Sequence, residues 1–246
     1  MLNNQLNTAM LFAAGLGTRL KPFTNMHPKA LAQVNGKTLL QHNIQYLQSF
    51  GINKVVVNVH HFANQIIDIV KENNGWGSDI IISDETSEVL ETGGGLQKAV
   101  PLFGDSENIL IMNVDILTNL NIEQMFQEHI TTNALGTLAV TNRITSRYFV
   151  FNNQNKLCGW MNTKTNELKG IVNFDESQHI KLAFSGIHII NKKIFSLIHH
   201  QGKFSMVDVY LDLMKSNDII AFNHSQDKFI DVGKPENITI AEGMFK

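Results

Sequence analysis

Residues Thr8–Leu20 read TAMLFAAGLGTRL. The run Thr8–Ala14 is almost wholly apolar and does not alternate, so both of its faces call for burial, as in a strand inside a parallel sheet. Gly15 and Gly17 end the run and let the chain turn closely where a side chain would block it. The same unit recurs down the chain. Thr38–Phe50 carries Leu39, Leu40, Ile44, Leu47 and Phe50 at helical spacing, and Gly51 supplies the stop. Lys54–Val59 (KVVVNV), Asp79–Ser83 (DIIIS), Asn108–Val114 (NILIMNV) and Leu135–Thr141 read as further strands. Between them Asn64–Asn74, Gly95–Leu102 and Asn121–Thr131 read as helices. Alternating strands and helices predict an α/β fold: a Rossmann-like, mostly parallel sheet with helices on both faces and right-handed crossovers. Such sheets take ligands at the carboxyl ends of their strands, which directs attention to the loops after Ala14, Ser83 and Val114.

Beyond residue 141 the rhythm changes. Arg147–Phe151, Leu157–Met161 and Ile171–Phe174 read as short strands, Leu182–Ile190 (LAFSGIHII) as a longer one and Phe204–Lys215 as a helix. Phe229–Val232 is a last strand before Gly233, and Pro235 opens a closing helix. Asn35-Gly36 reads as a tight turn. No linker or repeat divides the chain, so residues 1–246 are expected to form one unit. Residues 1–141 make its larger half, and residues 142–246 a smaller, strand-rich half.

Composition narrows the function. The 246 residues are 43% hydrophobic and 17% charged, enough for a sizeable core. A single cysteine, Cys158, excludes intramolecular disulfides and cysteine-cluster metal sites. No apolar run approaches the roughly 18–20 residues of a membrane span. The polar start Met1–Thr8 lacks the basic n-region of a secretory signal, so the expected location is the cytoplasm, with no membrane partner. A net charge of −2 offers no basic field for nucleic acid. The charge is uneven, however. Residues 1–67 hold Arg19, Lys21, Lys29, Lys37 and Lys54 and no carboxylate, making them +5 against −7 for the remainder. A segment without carboxylates suits a polyphosphate, which nearby negative charge would repel.

The glycine loop admits three readings. A dinucleotide fingerprint needs glycine or alanine where Leu20 stands and an acid about 20 residues on, and the first acid is Asp68. A P-loop needs G-x-x-x-x-G-K-[ST], which does not occur. The third is another phosphate-holding loop with Arg19 as its clamp, and with Lys29 aimed by the stiff Pro28 before it. His60-His61 and His199-His200 lack partners at ligand spacing, and Cys158 lacks a nucleophile's neighbours.

GLGTRL (Gly15–Leu20) followed by PKAL (Pro28–Leu31) resembles the signature of the sugar-1-phosphate nucleotidyltransferases. LETGGG (Leu90–Gly95) follows the third strand, where that family has the loop that lies against base and ribose. Asn113-Val114-Asp115 ends the fourth strand at a metal-binding position, and FIDVG (Phe229–Gly233) matches a second one. With FSGI (Phe184–Ile187), the likeness runs from Ala9 to Gly243. It is nearest the N-acetylmuramate-1-phosphate uridylyltransferase and mannose- or heptose-1-phosphate guanylyltransferase branches. The resemblance implies Mg²⁺ on Asp115 and Asp231, Arg19 on the β- and γ-phosphates and Lys29 near the α-phosphate. It implies nucleotide contacts from Ala13, Ala14, Gly15, Gly17, Thr18, Glu91, Thr92, Gly93, Gly94 and Asn113, and sugar contacts from Ser185 and Gly186. The implied partners are an NTP, UTP favoured over GTP, and an N-acetylmuramate- or hexose-1-phosphate. Val114 departs from the pattern, which has glycine before the aspartate. A binding-only regulator of the same fold would have no physical need for all of Arg19, Lys29, Asp115 and Asp231.

Overall fold

A computed structural model describes residues 5–246. Residues 1–4, part of the polar start read above for a leader, lie outside them. In chain order the elements are β1 (Thr8–Phe12), β2 (Gln33–Val34), β3 (Lys37–Thr38), α1 (Leu39–Gln48), β4 (Lys54–Val59), α2 (Ala63–Glu72) and β5 (Asp79–Asp84). They continue as α3 (Glu91–Ala99), β6 (Asn108–Asn113), β7 (Ile116–Thr118), α4 (Ile122–Thr131), β8 (Gly136–Thr141), β9 (Arg147–Asn152), β10 (Leu157–Asn162) and β11 (Glu167–Lys169). The chain closes with β12 (His179–Asn191), α5 (Met206–Leu213), β13 (Ile219–Asn223), β14 (Phe229–Asp231) and α6 (Pro235–Met244).

β1 lies between β6 and β4, with β5 beyond, and all four run parallel. Alternate residues of these strands feed two cores. Ala9, Leu11, Val55, Val57, Leu110 and Met112 meet Leu40, Ile44 and Leu47 of α1 and Met125 of α4. Met10, Val56, Ile109 and Ile111 meet Leu96 of α3 and Val209 and Tyr210 of α5. Burial on both faces is why these strands carry continuous apolar runs. Side-chain oxygens of Thr38, Asn121 and Ser205 cap α1, α4 and α5, each accepting an otherwise orphaned amide.

The second half enters the same sheet. β12 pairs antiparallel with β6 over Ile187–Asn191, with β8 along part of its other edge, and with β9 over His179–Leu182. β8 therefore runs in the direction of the parallel set but stands one strand away from it, and β13 adds parallel to β8. β13 and β7 were not anticipated from the sequence. The strand expected at Ile171–Phe174 is absent, and β11 forms at Glu167–Lys169 instead. Asn166 closes the turn and Gly170, at φ +81°, swings the chain off the sheet, leaving Val172 96% exposed. Asn35-Gly36 forms the expected turn, with both residues at positive φ between β2 and β3. Among the described residues no helix is long and apolar enough to cross a membrane.

Three histidines are sealed in the cores. His129 sits between Thr137 Oγ1 (2.8 Å) and Asn108 Oδ1 (3.2 Å). Burial pushes His129 and His224 down to about 4 and His188 to about 3. Below pH 6.5 the unfolded chain protonates these rings and the folded chain does not, so their contribution to stability is present above that pH and lost as pH falls toward 4. Urea unfolding should show lower stability at pH 5.5 than at pH 7, with up to about three protons taken up on unfolding. His129→Asn should remove about one proton from that uptake; an unchanged slope would show that His129 titrates normally in the fold.

Candidate active site

The site begins where β1 ends. The amides of Ala13 and Ala14 both donate to Asn58 Oδ1, at 2.7 and 3.3 Å, and Asn58 Nδ2 donates to Glu85 Oε1 at 2.8 Å. Asn58 and Glu85 are buried at the ends of the neighbouring strands, so they fix the start of the glycine loop from below. Burial raises the Glu85 carboxyl above its ordinary value, and the Asn58 hydrogen bond opposes that rise. Neither residue was found from the sequence, because an Asn and a Glu at strand ends carry no pattern of their own.

Gly17 sits at φ +59°, and a Cβ there would come within 2.9 Å of Thr24 and 3.0 Å of Lys29. Thr24 donates to the Gly17 carbonyl at 2.9 Å, so the loop closes down on the segment that presents Lys29. Lys29 Nζ lies 2.6 Å from Asp115 Oδ2, with side-chain exposures of only 17% and 7%. Arg19, 58% exposed, reaches Asp231 Oδ2 at 3.5 Å. Each expected phosphate cation is thus paired with one expected metal carboxylate.

The two aspartates meet through a small separate ladder. β14 pairs antiparallel with β7, setting Asp231 opposite Ile116, and the Val232 amide donates to the Asp115 carbonyl at 2.7 Å. A third core of Leu20, Val34, Leu39, Leu117, Ile230, Val232 and Ala241 holds this ladder beside the glycine loop. Burial and then the charge of Asp115 raise the Asp231 carboxyl above its usual range, with Arg19 opposing. Asp231 Oδ1 is buried without a hydrogen-bond partner. Val114 is fully buried, its carbonyl accepting from Asn43 Nδ2 at 2.8 Å, so its extra carbons point into the core.

LETGGG is not a loop. α3 starts at Glu91, and the expected helix at Gly95–Leu102 is its later part, running into a 3₁₀ turn. The glycines serve packing: a Cβ on Gly93 would sit 2.3 Å from the Phe204 ring, on Gly94 2.3 Å from the Gly202 carbonyl, and on Gly95 2.6 Å from Glu85. The amides of Gly93 and Gly94 are already given to the Phe204 carbonyl, and Thr92 Oγ1 accepts from Met206. Glu91 faces Lys203 at 3.7 Å.

Together these parts line a cavity of about 380 Å³, walled by Ala14, Gly15, Arg19, Lys29, Glu91, Thr92, Asn113, Asp115 and Asp231, with Asn58 and Glu85. Gly186, at φ +74°, abuts Asn113, since a Cβ there would lie 2.5 Å from Asn113 Nδ2. Ser185 is placed differently: its hydroxyl is buried and bonded to His224 Nε2 at 2.7 Å.

Residues 8–242 match the family described as Nucleotidyl transferase. Over 109 residues the chain is 43% identical to an N-acetylmuramate alpha-1-phosphate uridylyltransferase of Caulobacter vibrioides, covering 44% of this chain and 45% of that one. The chain therefore spans about half the length of that relative. It is 28% identical over 235 residues to a D-glycero-alpha-D-manno-heptose 1-phosphate guanylyltransferase of Aneurinibacillus thermoaerophilus, covering 95% and 96% of the two chains. A crystal structure of HddC from Yersinia pseudotuberculosis complexed with GMP-PN superposes with a TM-score of 0.78 at 23% identity, covering 98% and 100%, which shows a shared fold.

The glycines separate packing from ligand space. A Cβ on Gly15 meets nothing within 4 Å, whereas one on Gly93 collides with Phe204. Gly93→Ala should therefore cost about 1–3 kcal/mol of stability. Gly15→Ala should leave the melting temperature within about a degree and weaken nucleotide binding about tenfold, because its methyl faces the cavity. Calorimetric melting and nucleotide titration of both variants check this; the reverse pattern would place the ligand elsewhere.

Proposed function

The chain belongs to the nucleotidyl transferase family, and from that premise we propose that it joins an NTP to a sugar-1-phosphate, giving a nucleotide-sugar and pyrophosphate. The observation that carries this reading is the meeting of two carboxylates and two cations in one cavity at the carboxyl ends of parallel strands. The nucleophile is a phosphate oxygen, ionised at neutral pH because its second pKa is about 6, so no general base is required. It attacks the α-phosphorus in line, the bond to the β-phosphate breaks, and pyrophosphate departs. The difficulty is bringing two polyanions together, which is a matter of position and charge.

Lys29, deep in the site, meets the α-phosphate; Arg19, at the mouth, meets the β- and γ-phosphates and the leaving pyrophosphate. The donor set fits a hard divalent cation. Asp231 offers a buried, unpartnered oxygen, and among the described residues no group of three or more His, Cys, Asp or Glu could hold a metal alone. Two carboxylates with phosphate oxygens and water suit Mg²⁺. Asp115 and Asp231 would hold it, and when bound it offsets the charge of the phosphates. Ala13, Ala14, Gly15, Gly17, Thr18, Glu91, Thr92 and Asn113 surround the nucleotide, Gly93 and Gly94 shaping the wall rather than donating to it. Gly186 meets the sugar.

UTP is the favoured nucleotide and N-acetylmuramate- or hexose-1-phosphate its partner, supported by the Caulobacter relative. GTP with a heptose- or mannose-1-phosphate is the second reading, supported by the relative whose full length is matched. The Glu85 carboxylate lines the cavity and accepts from Asn58 Nδ2; uracil N3 and guanine N1 both present an N–H to such an acceptor, so it does not choose between the bases. We read residues 1–246 as one catalytic unit working in the cytoplasm, with residues 1–141 holding nucleotide and 142–246 holding sugar.

Pyrophosphate release across a panel of NTPs and sugar-1-phosphates tests the reaction. UTP should be used about tenfold more efficiently than GTP, or about 1.4 kcal/mol; better use of GTP would reverse the base assignment. No release with any pair would remove the reaction itself.

Asp115→Asn and Asp231→Asn should each lose roughly 1000-fold in kcat/KM, about 4 kcal/mol. Their stabilities should diverge. Asp231→Asn relieves repulsion and should melt at or above the parent temperature in chelator. Asp115→Asn leaves Lys29 buried and unpaired and should melt lower. Lys29→Ala should likewise lose about 1–3 kcal/mol of stability, whereas exposed Arg19→Ala should lose little. Both should fall roughly 100-fold or more in kcat/KM. Near-parental turnover in any of the four would remove that residue from the mechanism.

A further inference from the structure

Arg143 follows β8 and is half-buried. Its Nη1 donates to Thr141 Oγ1 (3.2 Å) and the Ala183 carbonyl (3.3 Å), and its Nη2 to the Phe184 carbonyl (2.8 Å). All three acceptors are neutral. Burial lowers the pKa of the guanidinium, with the charge of Asp231 opposing that shift. Its central carbon lies 4.9 Å from the centre of the Phe229 ring.

These contacts fall at one break in the sheet. β12 pairs with β8 through Ala183–Thr141 and Phe184–Val140, then resumes only at His188–Leu138. Ser185, Gly186 and Ile187 are left without a β8 partner, Ile187 still pairing with Met112 of β6, and Gly186 is the one against Asn113 in the cavity wall. Two connections run from this bulge to β14. The Phe184 carbonyl is held by Arg143, which lies over Phe229. The Ser185 hydroxyl is held by His224, whose ring meets Phe229 edge-on at 5.7 Å. Phe229 stands two residues before Asp231 on a strand of three residues that lies outside the main sheet.

We propose that Arg143 is a positioning residue: it braces the Asp231 strand against the β12 bulge and so sets the distance between the carboxylate pair and the corner that receives the sugar phosphate. The proposal rests on the nucleotidyl-transfer reading for its kinetic consequence and on the contacts alone for the brace. A planar guanidinium forks to two carbonyls in a fixed geometry while its face lies over a ring, whereas an ammonium has neither the rigid fork nor the flat face. In-line transfer is sensitive to ångström displacement of one reacting group against another. Loss of the brace should therefore lower kcat more than it changes substrate binding.

Arg143→Met and Arg143→Lys should be compared with the parent by hydrogen–deuterium exchange and by steady-state kinetics. In both variants the peptide spanning residues 228–233 should exchange about tenfold faster, with β1 and β4 unchanged. In both, kcat should fall about tenfold or more, with KM for NTP and sugar phosphate within about threefold of the parent. Phe229→Leu, which keeps the apolar volume and removes the ring, should reproduce the split. Unchanged exchange at 228–233 overturns the brace. Faster exchange throughout the chain with parental kcat per folded molecule makes Arg143 a general stabiliser and overturns it too. Full rescue by Arg143→Lys would mean that charge, not geometry, matters, which also sinks the proposal. A parent that releases no pyrophosphate defeats the proposed reaction, while the exchange data still decide the brace.

Discussion

Asp115 and Asp231 are kept together by one short ladder, β7 against β14, and by the Val232 amide on the Asp115 carbonyl. That arrangement works against electrostatics. Like charges brought close near a protein surface cost on the order of a few kcal/mol, and the Asp231 carboxyl is raised first by burial and then by the charge of Asp115. The surroundings compensate in three ways. The core around Ile230, Val232 and Leu117 anchors the ladder by apolar burial. Asn237 donates to the Asp231 carbonyl at 2.6 Å, tying the strand to α6. Lys29 and Arg19 each supply a positive partner. On the proposed reading the same four charged groups exchange partners when substrate binds, the cations taking phosphates and the carboxylates a divalent ion.

The second half of the chain is built into the first rather than set beside it. β12 supplies the next strand after β6, so the parallel set continues directly into the mixed sheet. α3 presses its glycines onto Phe204 and Gly202, with backbone separations that a single methyl would prevent. The cavity wall at Glu91 and Thr92 therefore depends on where residues 202–206 lie. The bulge at Ser185–Ile187 similarly depends on β8, β9 and β6 pulling one strand in different registers.

Much of this was legible in the residues themselves. KVVVNV became β4 with the expected bounds, TAMLF of the expected TAMLFAA became β1 with Ala13 and Ala14 already in the loop, and Asn35-Gly36 turned as its chemistry requires. Gly15, Arg19, Lys29, Asp115 and Asp231 do meet in one cavity. Other readings failed for identifiable reasons. The resemblance placed a loop at LETGGG, with a helix expected only from Gly95; in the fold α3 starts at Glu91, with close packing outweighing the low helix propensity of its glycines. Ile171–Phe174 looked like a strand because it is apolar and flanked by turn residues, but Gly170 turns it away from any partner. Ser185 looked available to a sugar, and its hydroxyl belongs to His224.

The sequence by itself determined the strand–helix alternation, the glycine loop after the first strand and the separation of charge that leaves residues 1–67 without a carboxylate. These are properties of neighbouring residues: periodicity, backbone freedom and local charge. Only the tertiary structure decided that β12 would stand between β6 and β8, that Asn58 and Glu85 would hold the loop from below, and that Lys29 would sit on Asp115 and Arg19 on Asp231. Those outcomes depend on which distant segments pair and in what register, and strand partners about half the chain apart are chosen by the burial of whole faces, which no short stretch of residues encodes.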